Sequence, residues 1–250
     1  MRLIEGKRVA LEYEEKIKKE CKKLKEEKGI IPGLAVVLVG DDAASRVYVK
    51  KKAEACQRVG FYPITHEMPS DISQESIEKT IEMMNENPNI HGILVQLPLP
   101  KHIDTSRILE KISPAKDVDG FHPFNTGRVV LGLKGFVPAT PLGVMKLFEE
   151  YDIDLVGKEC VVVGASNIVG KPMASLLLNA GATVTICHIH TKDLASHTKR
   201  ADIIVVGVGK AGLITEDMVK DGVIVIDIGI NKLESGKLTG DVDFENVSKK

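Results

Sequence analysis

Short apolar runs, each separated from the next by a helix-length polar or amphipathic stretch, most constrain what this chain can fold into. Leu34–Val39, Ile90–Val95, Cys160–Val163, Ile203–Val206 and Val223–Ile228 are rich in Val and Ile, and Gly or Asn lies close beside them. Runs this short, apolar on both sides, read as strands buried on both faces. Tyr62–Glu67 and Thr183–Cys187 read as two further strands. Between them the spacing predicts helices over Ser45–Val59, Ser73–Asn85, Asp104–Ile112, Pro141–Tyr151, Gly170–Ala180 and Asp193–Lys199. Ser73 is a fitting N-cap. Thr140 is expected to cap a helix that has Pro141 at its first position. Strand–helix alternation points to parallel sheets wrapped by helices.

A preceding helix is expected over Ala10–Lys28, with Leu11, Ile17, Cys21 and Leu24 on its inner stripe. Its charge run Lys22–Lys28 reads as a solvated face, and Gly29 and Pro32 end it. Residues Lys116–Pro138 hold many Gly, Pro, Asn and Asp and are expected to be loop and connector. The expectation is therefore two α/β domains, residues 1–138 and 139–250.

Composition narrows the function classes. The chain has 250 residues and a formal net charge of -1, which gives no basic footprint for nucleic acid. No apolar run is long enough to span a bilayer, and the charged start Met1–Lys7 does not resemble a secretory leader. The four cysteines, Cys21, Cys56, Cys160 and Cys187, form no C-x-x-C pair. Isolated thiols point to a reducing, cytoplasmic setting.

Val161-Val162-Val163-Gly164-Ala165-Ser166-Asn167-Ile168-Val169-Gly170 reads as strand, tight loop and helix start. Gly164 permits the turn, Gly170 permits close helix–strand approach, and the helix N-terminus presents unpaired N–H groups to a phosphate. The spacing is G-x-S-x-x-x-G and meets the usual G-x-G-x-x-G dinucleotide pattern only in part. A helix-packing turn in an unrelated α/β domain is the other reading. After Cys187 the chain runs His188-Ile189-His190-Thr191-Lys192, with no acid to bind ribose hydroxyls before Asp193. His190, Thr191 and Lys192 suit an additional phosphate, which favours NADP over NAD. His188 and His190, taken as two apart on a strand, share a face but lack a third metal ligand.

In the first half, Ser45, Tyr48 and Lys52 fall on one helical face. A ring, a hydroxyl and an amine on one stripe can hold a flat heterocycle and move a proton, although Lys52 as a surface lysine and Tyr48 as a core residue fit equally. Gln96-Leu97-Pro98-Leu99-Pro100 follows a buried strand and places an amide where parallel sheets bind ligands. Lys116-Asp117-Val118-Asp119-Gly120-Phe121-His122-Pro123 places carboxylates in the connector.

Taken together, Val39–Lys52, Gln96–Pro100, Lys116–Pro123, Pro138–Met145, Gly164–Met173, Val225–Asn231 and Gly240–Phe244 resemble the bifunctional methylenetetrahydrofolate dehydrogenase/methenyltetrahydrofolate cyclohydrolase family, in family order over nearly the whole chain. The resemblance implies a Rossmann-like second domain, an active-site cleft between the domains, a folate substrate, NADP as cofactor, no metal, and a homodimer. It implies that Tyr48 lies against the pterin, that Lys52 transfers the proton of the cyclohydrolase step, and that Gln96 hydrogen-bonds Lys52. It also implies that Asp119 binds the pterin's amino and ring nitrogens. Gly164, Ala165 and Ser166 would cradle cofactor phosphate, and Ile230 would contact the cofactor near its nicotinamide; Gly170, Ile189 and Thr191 are counted with them as expected cofactor-binding residues. Some members carry Arg where this chain has Ala165 or Ile189, and either would help hold the phosphate that marks NADP. Members also continue past the counterpart of Phe244 with a strand, a Pro-Gly-Gly-Val-Gly-Pro-Met-Thr loop and a helix that walls the folate pocket. A shikimate-dehydrogenase-like oxidoreductase is the competing enzyme class, but it gives no account of Gln96–Pro100. A folate- or nucleotide-binding protein without turnover is the competing non-enzyme.

Overall fold

The computed structural model describes residues 2–250 as two compact units. One is Glu5–Thr126; the other is Gly127–Lys250 together with the described residues before Glu5.

The first unit runs α1 (Gly6–Lys28), β1 (Gly33–Val39), α2 (Ala43–Val59), β2 (Tyr62–Met68), α3 (Gln74–Glu86), β3 (Gly92–Val95), α4 (Thr105–Lys111) and the start of α5 (Pro123–Val130). Its sheet is wholly parallel in the order β2-β1-β3. Alternation along β1 divides the core. Ala35, Val37 and Val39 face Ile77, Ile81 and Met84 of α3 and Ile108 of α4, whereas Val36 and Leu38 pack with Val49 of α2. Period-two strands covered on both faces have no polar side, which is why these runs are continuously apolar. Asp42 caps α2 by accepting from Ser45 N–H at 2.7 Å, and Ser73 caps α3 as expected, accepting from Ser76 N–H at 3.3 Å.

The second unit runs from α5 through α6 (Ala139–Glu150), β4 (Glu159–Val163), α7 (Gly170–Asn179), β5 (Thr183–Cys187), α8 (Leu194–Thr198), β6 (Ile203–Val206), β7 (Ile224–Asp227), the small hairpin β8–β9 (Asn231–Lys232 and Leu238–Thr239) and α9 (Phe244–Val247). Its main sheet is parallel in the order β5-β4-β6-β7. The order reverses between β4 and β6, the point at which open α/β sheets bind ligands outside their carboxyl ends. Val144 and Phe148 of α6 and Met173 and Leu177 of α7 cover one face; Ile214, Val219, Val242 and Val247 cover the other.

Four expectations need correction. The stretch expected to be all connector contains α5, which Asn125 holds by donating to Pro114 O and the Asp117 carboxylate, both at 2.9 Å. Helix α6 starts at Ala139 with no side-chain cap: the Pro138 carbonyl accepts from Leu142 N–H at 3.0 Å and closes the turn earlier than Thr140 would. Pro141 lies in that first turn, where a missing N–H is tolerated. Helix α1 begins at Gly6, because the Glu5 carbonyl already accepts from Arg8 and Val9. Finally, β5 ends at Cys187, so His188 and His190 lie in a turn rather than on a strand, with His190 N–H donating to His188 Nδ1 at 3.1 Å.

Candidate active site

In the first unit, three elements bring side chains to the carboxyl ends of β1 and β3. Helix α2 carries Tyr48, 45% exposed, and Lys52, half-buried and one turn further on. The segment after β3 is pinned by Gln96 N–H donating to Val37 O at 2.9 Å, and it carries the Gln96 amide. Lys52 Nζ donates to Gln96 Oε1 at 3.1 Å, while Gln96 Nε2 donates to Leu97 O at 2.8 Å. The amide is thus oriented with its oxygen toward the ammonium. The peptide Leu97–Pro98 is cis.

Asp119 comes from the loop before α5. Ile93 N–H donates to Lys116 O at 2.7 Å, which lays this loop beside β3. Asp117, only 1% exposed, accepts from Phe121 N–H at 3.3 Å, His122 N–H at 2.9 Å and the Asn125 amide. Its oxygens are therefore committed to the loop's own backbone, and Asp119 is left as the carboxylate able to meet a ligand. Burial pushes Asp119 up to about 6, opposed by the Lys52 charge and assisted by Asp117. Burial also lowers the Lys52 pKa from its ordinary value, with Asp119 pulling the other way. A lysine shifted downward beside a carboxylate shifted upward is an arrangement suited to moving protons.

In the second unit, the turn after β4 is built from backbone. Gly164 has φ +126°, and a Cβ there would meet Gly207 O at 2.9 Å. A Cβ at Gly170 would lie 2.1 Å from Gly164 O. The two glycines let strand, turn and α7 close on one another and leave a cradle that a side chain would fill. Ser166 Oγ accepts from Val169 N–H at 3.1 Å and Gly170 N–H at 3.3 Å, and Ser166 O accepts from Lys171 N–H. These N–H groups are therefore already used, contrary to the expectation that the helix start offers them unpaired. The Ser166 hydroxyl keeps its proton to donate, and Ala165 is half-buried beside it. Thr191 Oγ1 accepts from His188 N–H at 2.8 Å and shapes the turn after β5, on which Ile189 is 93% exposed. Ile230, after β7, is 63% exposed.

Two acids that residue patterns did not single out organise this end of the sheet. Asp241, fully buried, accepts from Val208 N–H at 2.6 Å, Gly209 N–H at 3.1 Å, Lys210 N–H at 2.8 Å and the Asn231 amide at 2.8 Å. Burial acts to raise its pKa, but these donors outweigh it and hold the carboxyl below its ordinary value. Asp227 accepts from Gly229, Asp241 and Val242 N–H groups at 2.9–3.0 Å. The only sequence signal was glycine: a Cβ at Gly229 would strike the Asp241 carboxylate, and one at Gly240 would strike that of Asp227.

Known proteins share this architecture and these segments. Residues 4–119 match the tetrahydrofolate dehydrogenase/cyclohydrolase catalytic domain, and residues 138–250 match the NAD(P)-binding domain of the same family. The bifunctional protein FolD of Nautilia profundicola is 67% identical over 250 residues, covering 100% of this chain and 88% of that protein. The crystal structure of the bifunctional enzyme FolD-methylenetetrahydrofolate dehydrogenase/cyclohydrolase from Campylobacter jejuni superposes with a TM-score of 0.99 at 55% identity, over 100% of this chain and 89% of that one. The Trypanosoma brucei methylenetetrahydrofolate dehydrogenase-cyclohydrolase, solved with NADP cofactor and inhibitor, gives 0.93 at 35% identity over 98% and 86%. The chain belongs to the tetrahydrofolate dehydrogenase/cyclohydrolase family.

Proposed function

We propose that this chain oxidises methylenetetrahydrofolate to methenyltetrahydrofolate with NADP and hydrolyses the product to formyltetrahydrofolate, with Lys52 moving the proton in the second step. Residues 1–138 form the folate-binding catalytic domain and residues 139–250 the NADP-binding domain. The observation that carries this reading is the Lys52–Gln96 hydrogen bond of 3.1 Å, on a lysine whose pKa burial lowers.

Tyr48 offers its ring to the flat pterin. Asp119, when ionised, accepts from the pterin's amino and ring N–H groups, a charge-assisted pair. In hydrolysis, water adds to the cationic methenyl carbon and the bond to one ring nitrogen opens. In its deprotonated form Lys52 takes the water's proton and passes it toward the departing nitrogen, and Gln96 keeps the amine aimed during the exchange. When bound, NADP supplies the ring that accepts hydride. The Gly164–Gly170 cradle, Ala165 and the Ser166 hydroxyl suit its phosphates; Ile189, Thr191 and Ile230 suit its remaining contacts. Asp193 is engaged as the cap of α8, accepting from Ser196 N–H at 3.2 Å, so the stretch after β5 presents no acid committed to ribose. This supports NADP over NAD, and the NADP-bound Trypanosoma brucei relative supports it further. Four free, buried cysteines support a cytoplasmic setting, and the family resemblance supports a homodimer, which sedimentation equilibrium would check. Among the described residues no helix is long and apolar enough to cross a membrane.

The test is an initial-rate assay that follows methenyltetrahydrofolate absorbance with NADP, with NAD and with neither. Formation of the methenyl compound with NADP, and its decay without cofactor, are expected. A higher kcat/KM with NAD rejects the cofactor, and absence of both reactions rejects the function.

A further inference from the structure

We propose that Asp241 is a positioning residue of the dinucleotide site, clamping the loop after β6 so that the glycine turn after β4 has a fixed wall. The inference rests on the NADP reading above and adds a residue to it.

Three consecutive backbone N–H groups, Val208 to Lys210, converge on one carboxylate, a concave arrangement of donors that binds anions. The chain fills it with its own side chain, at no solvent exposure. The loop so held is itself on the surface, with Val208 44% exposed, and it leaves the carboxyl end of β6 beside β4. It also touches the cradle. A Cβ at Gly164 would meet Gly207 O at 2.9 Å and Val208 Cγ1 at 3.3 Å, so movement of residues 207–210 moves the wall of that turn. The same carboxylate fills the space over Gly229 and takes the Asn231 amide, so Ile230 lies between a glycine packed under the clamp and an asparagine bonded to it. Asp241 needs no contact with the cofactor to act: it fixes the loop on one side of the turn and the segment after β7.

The experiment is Asp241→Asn in the full chain. The amide keeps the shape, but its NH₂ faces N–H donors it cannot accept from, and the loop loosens. KM for NADP should rise on the order of tenfold, with kcat at saturating NADP within about twofold of wild type. Cyclohydrolase activity measured without NADP should be unchanged. An unchanged NADP KM overturns the proposal. So does a parallel loss of kcat and cyclohydrolase activity, which would mark a general structural role. If the variant does not fold, Asn231→Ala decides: it removes one of four donors, and a rise in NADP KM of about threefold at constant kcat supports the clamp, whereas no change overturns it. Failure of the wild-type chain to turn over with NADP would instead reject the underlying cofactor reading.

Discussion

On the function proposed above, the two units would hold their ligands with different materials. In the first, the groups to which the proposal assigns chemistry are side chains: Lys52, Gln96, Asp119 and Tyr48 project from one helix, one strand end and one loop. In the second, the cradle is backbone, shaped by Gly164 and Gly170, which cannot bear a Cβ without meeting main-chain atoms. Yet both units set the loop in question with the same device. A buried aspartate, Asp117 or Asp241, accepts from successive backbone N–H groups and from an asparagine amide, Asn125 or Asn231. Proton transfer requires a titrating atom and hence a side chain, whereas holding phosphate requires only donors and a partial positive charge, which the main chain already supplies.

The contrast breaks most sharply at Lys52. Lys52→Met keeps the aliphatic stem and removes the titrating atom. Cyclohydrolase should fall at least about a hundredfold and dehydrogenase by less. Absorbance of methenyltetrahydrofolate with and without NADP reads both, and hydrolysis at the wild-type rate would remove Lys52 from the mechanism.

Next in size is Asp119→Asn, which should weaken folate binding by about 1.5–3 kcal/mol while leaving NADP affinity alone. Calorimetric titration with each ligand decides; an unaltered folate affinity would mean that the carboxylate does not meet the substrate.

The backbone side is tested by Gly170→Ala. Its Cβ would be forced against Gly164 O, an atom that cannot swing aside. A stability loss of about 1–3 kcal/mol is expected, with weaker NADP binding and normal hydrolysis of the methenyl compound. Full NADP affinity together with an unshifted Tm would show that the turn is not built as described.

The smallest effect is one of pH. With Asp119 raised to about 6, its proton stabilises the folded chain. That contribution is complete below the ordinary carboxylate range and is lost as pH rises through about 6. Folate binding, which on this reading uses the ionised form, should run the other way and weaken about fivefold from pH 6 to pH 5. Asp119→Asn should flatten both slopes, and slopes that persist in the variant would assign them to another group.

Much of this was legible beforehand, and the reasons for the rest are specific. The strands were legible because sheets buried on both faces leave continuous Val and Ile runs. The α2 face was legible because Tyr48 and Lys52 are four apart. Helix α5 was not, since Pro, Asn and Gly favour turns locally, and Asn125's bonds to Pro114 O and Asp117 hold it instead. The choice of Asp119 over Asp117 came only from family resemblance; side-chain identity alone does not say which of two neighbouring acids is spent on backbone. The Asp241 clamp was invisible for the same reason, because its main partners are N–H groups that every residue except proline carries.

That clamp also has a timetable. Asp241 stands 33 residues after Val208, and a chain made from its N-terminus extends through β7 and the β8–β9 hairpin before this carboxylate arrives. The three N–H groups of the β6 loop thus find their partner only from this later segment. The unit that ends at Thr126 has by that time long held every residue of its own sheet and of its Lys52–Gln96 pair. The wall of the glycine turn is therefore set by a contact across 33 residues, later in chain order than the Lys52–Gln96 pair of the first unit.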